Sequence, residues 1–328
     1  TNLIMIKIFR YLGILAFTLA SASLLADSAQ VDAFIDKMVT EHDFERAEVT
    51  HILNQAHRRQ DIIDKISRPA ERTLNWGQYR KIFLTEKRTS QGAEFWLRNR
   101  LALNLAEEKY GVPPQMIVAI IGVETFYGRI AGKDKVLDAL YTLAFHYPKR
   151  SKFFTGELES YLLLTREEKM DPANPKGSYA GAMGLGQFMP SSYLNYAVDF
   201  DGDGKRDIWN NETDAIGSVA NYFARHGWKK GEPVTRQVAG VKAKHQEFIE
   251  AGMKPSISIS ELRKAHIDTG SDLPGSMLSS LIELETEAGK EFWLGLPNFY
   301  AITRYNHSNM YAMAAYQLSE RIRLKMNK

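Results

Sequence analysis

Apolar side chains recur at helical spacing from Val31 to about Tyr110: Phe34, Ile35, Met38 and Val39 share one face, and Ile52, Ile62, Ile63 and Ile66 continue it. Arg68-Pro69-Ala70 interrupts the pattern. The spacing predicts an N-terminal helical domain over residues 31–109. A second helical stretch opens at GVPPQMIVAIIGVETFYGR, with prolines at its front, where a missing amide does no harm, and Gly128 placed to end it. Residues 171–190, DPANPKGSYAGAMGLGQFMP, hold too many Gly and Pro for a regular element and read as a loop; Pro190 then restarts a helix through SSYLNYAV. After Trp228 the period falls to two in EPVTRQVAGVKA, PSISISEL and SLIELETEAGKEFWLGL, the last reading as a hairpin that turns near Ala288-Gly289. These segments predict a small β-rich domain over 231–298, leaving 110–230 as a central core. From Tyr305 through MYAMAAYQLSERIRL helical spacing returns, so 299–328 is expected to pack back on that core. The fold class expected is mainly α, with α+β character.

With 328 residues and 44% hydrophobic content, the chain can bury a substantial core, and disordered or collagen-like classes are excluded. The formal charge is +3, and Lys7 and Arg10 of an acid-free leader account for two of those positives, so nothing suggests a nucleic-acid groove. The chain has no cysteine, which removes disulfides, thiolate metal sites and a cysteine nucleophile together. Residues 1–22 place Lys7 and Arg10 ahead of the apolar run YLGILAFTLA, with Ala20-Ser21-Ala22 as an A-x-A cleavage site, the order of a secretory signal peptide. An uncleaved anchor is the alternative reading of this segment.

Glu124 stands in IVAIIGVETFYG with Ile120 and Ile121 one turn before it and Tyr127 three residues after it. A carboxyl group held among apolar neighbours favours its neutral form, which is what protonating a glycosidic oxygen requires. A glutamate at the helix edge, or one paired with Arg129, fits the same pattern. The loop 177–190 adds glycines, which permit close approach to a ligand, and the polar and apolar mixture of Ser178, Tyr179, Gln187 and Met189 that suits a sugar. It lacks the spacing of a phosphate cradle.

DFDGDGKRD alternates Asp199, Asp201 and Asp203 and sets Gly204 at the sharp turn, the pattern of an EF-hand loop between two helices. Lys205 would ligate through its carbonyl and Asp207 directly or through water. Arg206 replaces the usual aliphatic residue and Asn210 stands at the closing position, so Asp214 or Glu212 must close a longer loop. Asp214 is preferred, since it can also cap the next helix, and Ca²⁺ suits these oxygen ligands better than Mg²⁺. One such site, without a partner hand, fits a structural role. Eight histidines show no HExxH spacing, and there is no GxSxG elbow, so zinc and serine chemistry find no support.

Together, ETFYGR, GSYAGAMGLGQFMPSSY, DFDGDG, DAIGSVANYF and NFYAITRYNHS strongly resemble the lytic murein transglycosylase B family, glycoside hydrolase family 103, over nearly all of the chain beyond the leader. The resemblance implies an N-terminal helical domain, a lysozyme-like core holding an EF-hand-like calcium site, and a small β domain. It implies Glu124 as the catalytic acid and base, and Ser178, Gln187, Tyr222, Tyr300 and Tyr305 on or near positions lining the glycan cleft, with Tyr79 a weaker candidate. It further implies cleavage of the MurNAc-β-1,4-GlcNAc bond without water: Glu124 protonates the leaving oxygen, then deprotonates the muramyl 6-hydroxyl to give a 1,6-anhydro end. That path needs no second carboxylate, unlike ordinary glycosidases.

The family member that gives the name is a lipoprotein, whereas this chain has no cysteine to acylate, so a soluble periplasmic form is expected. Peptidoglycan strands are the expected partner of a monomeric chain, with no nucleic acid and no organic cofactor. Two other readings remain open at the level of sequence: a hydrolytic muramidase on the same fold, and a calcium-stabilised peptidoglycan-binding protein in which Glu124 is structural.

Overall fold

The computed structural model describes residues 28–67 and 74–327. The leader and Arg68-Pro69-Ala70 lie outside these residues. The chain is mainly helical, with small antiparallel sheets, and divides into two compact units.

The first unit holds 28–67, 133–182 and 189–191. Its helices are α1 (residues 28–42), α2 (Arg46–Asn54), α3 (Gln60–Ser67), α8 (Val136–His146) and α9 (Ser151–Glu167). α8 is apolar on almost every side and carries two buried polar groups with defined work. Asp138 Oδ1 accepts from His57 N and Thr142 Oγ1 from Arg59 N, each at 2.9 Å, which satisfies amides of the connection between α2 and α3. A two-stranded sheet pairs β1 (Asp134–Lys135) with β2 (Lys176–Gly177).

The second unit holds 74–132, 183–188 and 192–327. Here α5 (Glu86–Arg98), α6 (Arg100–Tyr110), α11 (Glu212–Arg225) and α15 (Asn309–Met326) pack on α7 (Pro114–Thr125), and α4 (Trp76–Phe83) and α14 (Pro297–Tyr305) pack on α15. Every residue of α7 from Met116 to Ile121 is inaccessible to within 1%, so the helix that reads as unusually apolar is the axis of this unit. α10 (Pro190–Tyr196) begins in the first unit and continues in the second.

Four antiparallel strands follow in the order β3 (Thr235–Val238), β6 (Gly289–Gly295), β5 (Leu278–Thr286), β4 (Ile257–Ser258). Their apolar face joins Leu281 and Leu294 to Leu262 of α13 (Ile259–Lys264), with Phe248 and Ile249 of α12 (Gln246–Glu250) packed against it. The hairpin closes on Thr286 and Gly289, across Glu287-Ala288.

Two sequence expectations change. PSISISEL alternates, yet only Ile257 and Ser258 form a strand: Ser258 accepts from Glu261 N while the Glu261 carboxylate receives Ser258 N, and this capping box starts α13 instead. The expected boundary at 109/110 is not a break in packing, because α5 and α6 pack on α7 in the second unit, whereas α3 packs on α8 in the first.

Candidate active site

α7 begins where Pro113 and Pro114 leave no amide to satisfy, and it delivers Glu124, half-buried, in its last turn. The helix stops earlier than Gly128 suggests. Phe126 (φ 51°), Tyr127 (φ 61°) and Gly128 (φ 84°) are three successive left-handed residues, and only the last is glycine. Such geometry persists only where the surroundings over-determine it. Tyr127 Oη donates to Arg88 O at 2.9 Å, and its ring lies where Gly92 and Gly122 have no side chain: a Cβ on either would come within 2.5 Å of Oη. The Arg88 guanidinium covers the Phe126 ring at 4.7 Å.

Tyr311 Oη donates to Glu124 Oε1 at 2.5 Å. Ser308 caps α15 by accepting from Tyr311 N, which places this buried tyrosine in the first turn. Burial first, and the Glu124 charge second, hold the Tyr311 phenol well above its ordinary pKa; the same two causes act on Tyr305. Both phenols are therefore donors throughout the physiological range. Tyr305 Oη donates to Gly186 O at 2.5 Å, and Tyr222 Oη to Arg304 O at 2.6 Å. The Tyr222 and Tyr305 rings lie 4.7 Å apart, with His226 stacked on Tyr222 at 3.9 Å.

The loop after residue 182 completes this cluster. Gln187 adopts φ 51° and spends its side-chain amide on Ala131 O (3.1 Å) and Gly184 O (3.0 Å), leaving Oε1 as the acceptor end. Tyr300 is half-buried, with the Arg304 guanidinium 4.2 Å over its ring. Tyr79 is a core residue at 3% exposure, packed on Phe83, and close enough to add to the rise in the Tyr311 pKa. Ser178 belongs to the first unit, where its Oγ accepts from Ala180 N and Ala182 N. The second unit thus brings Glu124, Gln187, Tyr222 and Tyr305 into one linked cluster, and Tyr311 joins it. Helical spacing in the tail marks Tyr311 only as core, and the Ser308 cap is the legible sign of where it sits.

In the aspartate loop, one carboxylate oxygen each from Asp199, Asp201, Asp203 and Asp214 lie within 4.8 Å of one another. The amides of Gly204, Gly202 and Asp203 donate to Asp199 and hold its carboxyl below the ordinary range. Asp214 is fully buried and accepts from Phe200 N and Asp207 N, both at 2.8 Å; burial still pushes its pKa up to about 6. A buried carboxyl among three others, with only oxygen donors, fits a hard divalent cation. Glu212 is engaged elsewhere, by Arg98 at 2.8 Å and by Asn99. Asp207 turns its carboxylate to the amides of Trp209 and Asn210, and Lys205 N donates to Asp203 Oδ1. The cap of α11 is Asn211, which accepts from Thr213 N and Asp214 N, rather than Asp214 itself.

The family profile described as Transglycosylase SLT domain matches residues 26–320. Over 308 residues the chain is 47% identical to membrane-bound lytic murein transglycosylase B of Escherichia coli (strain K12), covering 91% of this chain and 84% of that protein. The crystal structure of soluble lytic transglycosylase SltB1 from Pseudomonas aeruginosa matches at TM-score 0.86 and 47% identity, covering 91% of this chain and all of the other. The Escherichia coli lytic transglycosylase Slt35 in complex with calcium matches at TM-score 0.82 and 47% identity, covering 91% of this chain and 94% of that one. With sequence and fold agreeing over nine-tenths of its length, the chain belongs to the transglycosylase SLT family.

Proposed function

We propose that Glu124 carries the chemistry of this lytic murein transglycosylase, as acid and then as base, on the MurNAc-β-1,4-GlcNAc bond of peptidoglycan. The observation that supports it most directly is the Tyr311 hydrogen bond to Glu124 Oε1, which fixes the orientation of the carboxyl group at the end of α7. Glu124 gives its proton to the glycosidic oxygen as the bond to the muramyl anomeric carbon breaks, and the N-acetyl group of the substrate stabilises the cationic sugar. The resulting carboxylate removes the proton of the muramyl 6-hydroxyl, whose oxygen bonds to the same anomeric carbon. The products are a free GlcNAc 4-hydroxyl and a 1,6-anhydro end; Glu124 is again protonated and no water is consumed.

Gln187 Oε1 supplies an acceptor for a sugar hydroxyl or amide, and Tyr300 and Tyr305 supply aromatic surface, with the buried Tyr222 packed against Tyr305. Tyr79 is assigned to the same cleft on family resemblance, and Ser178, in the first unit, is proposed as a substrate-binding residue on that resemblance alone.

One structural Ca²⁺ is assigned to Asp199, Asp201, Asp203 and Asp214, with the Lys205 carbonyl and, through water, Asp207. The calcium complex of the Slt35 relative supports this assignment. Export to the periplasm is supported by the charged, apolar and small-residue order of residues 1–22. Among the described residues no helix is long and apolar enough to cross a membrane.

Glu124→Gln tests the assignment. It preserves shape and removes the titrating proton, so the variant should fold and bind calcium normally while releasing no glycan fragments. Full cleavage by the variant would move the chemistry to another residue.

A further inference from the structure

Thr125, next to Glu124, has no exposed surface, and its hydroxyl is at the centre of three contacts. A threonine inside a helix ordinarily bonds back to the carbonyl four residues earlier. That acceptor, Ile121 O, stands at 3.1 Å, but Leu185 O, sixty residues on, is nearer at 2.9 Å. Thr125 Oγ1 itself accepts from Gly128 N at 3.0 Å, at the end of the left-handed run.

Leu185 lies in the middle of the loop that carries Gln187. On its amide side it donates to Ile208 O of the aspartate loop at 2.9 Å, and Gly184 beside it sits so close that a Cβ would fall 2.4 Å from that carbonyl. Gly186 O receives the Tyr305 hydroxyl. The loop is therefore held between the aspartate loop and the end of α7, and Thr125 is the side chain of α7 that makes the join.

We infer that Thr125 is a positioning residue for the reaction: its hydroxyl fixes the distance between the turn that carries Glu124 and the loop that carries Gln187. The inference rests on the reading of Glu124 as acid and base given above. The group meeting the reacting oxygen and the group orienting the sugar come from separate segments, and a misplacement of about 1 Å between them costs on the order of a hundredfold in rate.

The test uses the full chain with saturating Ca²⁺ and soluble glycan strands. Thr125→Val keeps the shape and removes the hydrogen bonds, and Thr125→Ser keeps the hydroxyl. Thr165→Val is the control, since its buried hydroxyl bonds only within α9, to Tyr161 O and Leu162 O. Thr125→Val should lower kcat about 10- to 100-fold with KM within about threefold, and Thr125→Ser should return kcat to within about threefold of the parent. Thr165→Val should leave kcat unchanged whatever Tm it loses. A kcat for Thr125→Val within about twofold of the parent, or no recovery with serine, would overturn the inference. Thr125→Ala, which removes the hydroxyl with less bulk at the joint, serves the same comparison if the valine variant does not fold. Glu124→Gln run alongside separates the two readings: cleavage retained there removes the assignment of Glu124, while cleavage lost there with an unaffected Thr125→Val removes this inference alone.

Discussion

Tyr311 and Glu124, 187 residues apart, share a 2.5 Å hydrogen bond that joins the first turn of α15 to the last turn of α7. A donor to a carboxylate favours its ionised form and also fixes its orientation. Tyr311→Phe should therefore fold, lose about tenfold or more in kcat, and move the alkaline limb of the pH–rate profile upward. An unchanged profile would mean that the bond is not part of the catalytic arrangement.

The Asp214 carboxyl makes the effect of calcium depend on pH. Its pKa is about 6 in the folded, metal-free protein against 3.8 for an ordinary aspartate, so between those values the native state keeps a proton that the unfolded chain has lost. That contribution to stability is present below pH 3.8 and is lost as pH rises through 6. Calcium replaces the proton, so the gain in Tm on adding Ca²⁺ should be larger at pH 7 than at pH 5 and should vanish in Asp214→Asn. Melting curves with calcium and with chelator at both pH values check this; equal gains would contradict it.

Gly122 offers a contrast between propensity and packing. In an open helix, alanine for glycine gains about 1 kcal/mol. Here a Cβ would meet Tyr127 Oη at 2.5 Å and its ring carbons at under 2.8 Å. Gly122→Ala should instead destabilise by about 1–3 kcal/mol and reduce kcat, because Tyr127 anchors the turn that follows Glu124. Denaturant titration together with kinetics measures both effects.

Gly184 is constrained twice, by φ +68° and by its approach to Ile208 O. Gly184→Ala should cost at least about 2 kcal/mol and lower activity, since the displaced segment carries Gln187. A stable and fully active variant would show that the loop tolerates movement.

What could be read from the residues follows from how local each signal is. The apolar run around Glu124, the DFDGDG turn and the alternation that becomes β5 and β6 are written within a few positions, and each forms where its pattern places it. Local rules in competition were harder. SISISE alternates like a strand and also carries a capping box, and the box prevails after Ser258. Gly128 marks a helix end, but tertiary contacts of Tyr127 with Gly92, Gly122 and Arg88 O force the left-handed turn two residues sooner. Tyr311 and Thr125 owe their roles to partners 187 and 60 residues away, which no spacing announces. The two compact units are likewise built from discontinuous stretches of chain.

Cleavage by Glu124 without water leaves an isotopic signature. Purified peptidoglycan digested in water enriched in heavy oxygen, by the parent protein and by Glu124→Gln, with the fragments weighed by mass spectrometry, should give anhydro-muramyl ends free of heavy oxygen from the parent and no fragments from the variant. Reducing ends that carry the heavy isotope would mean that water is the nucleophile and that the non-hydrolytic path proposed for Glu124 is wrong.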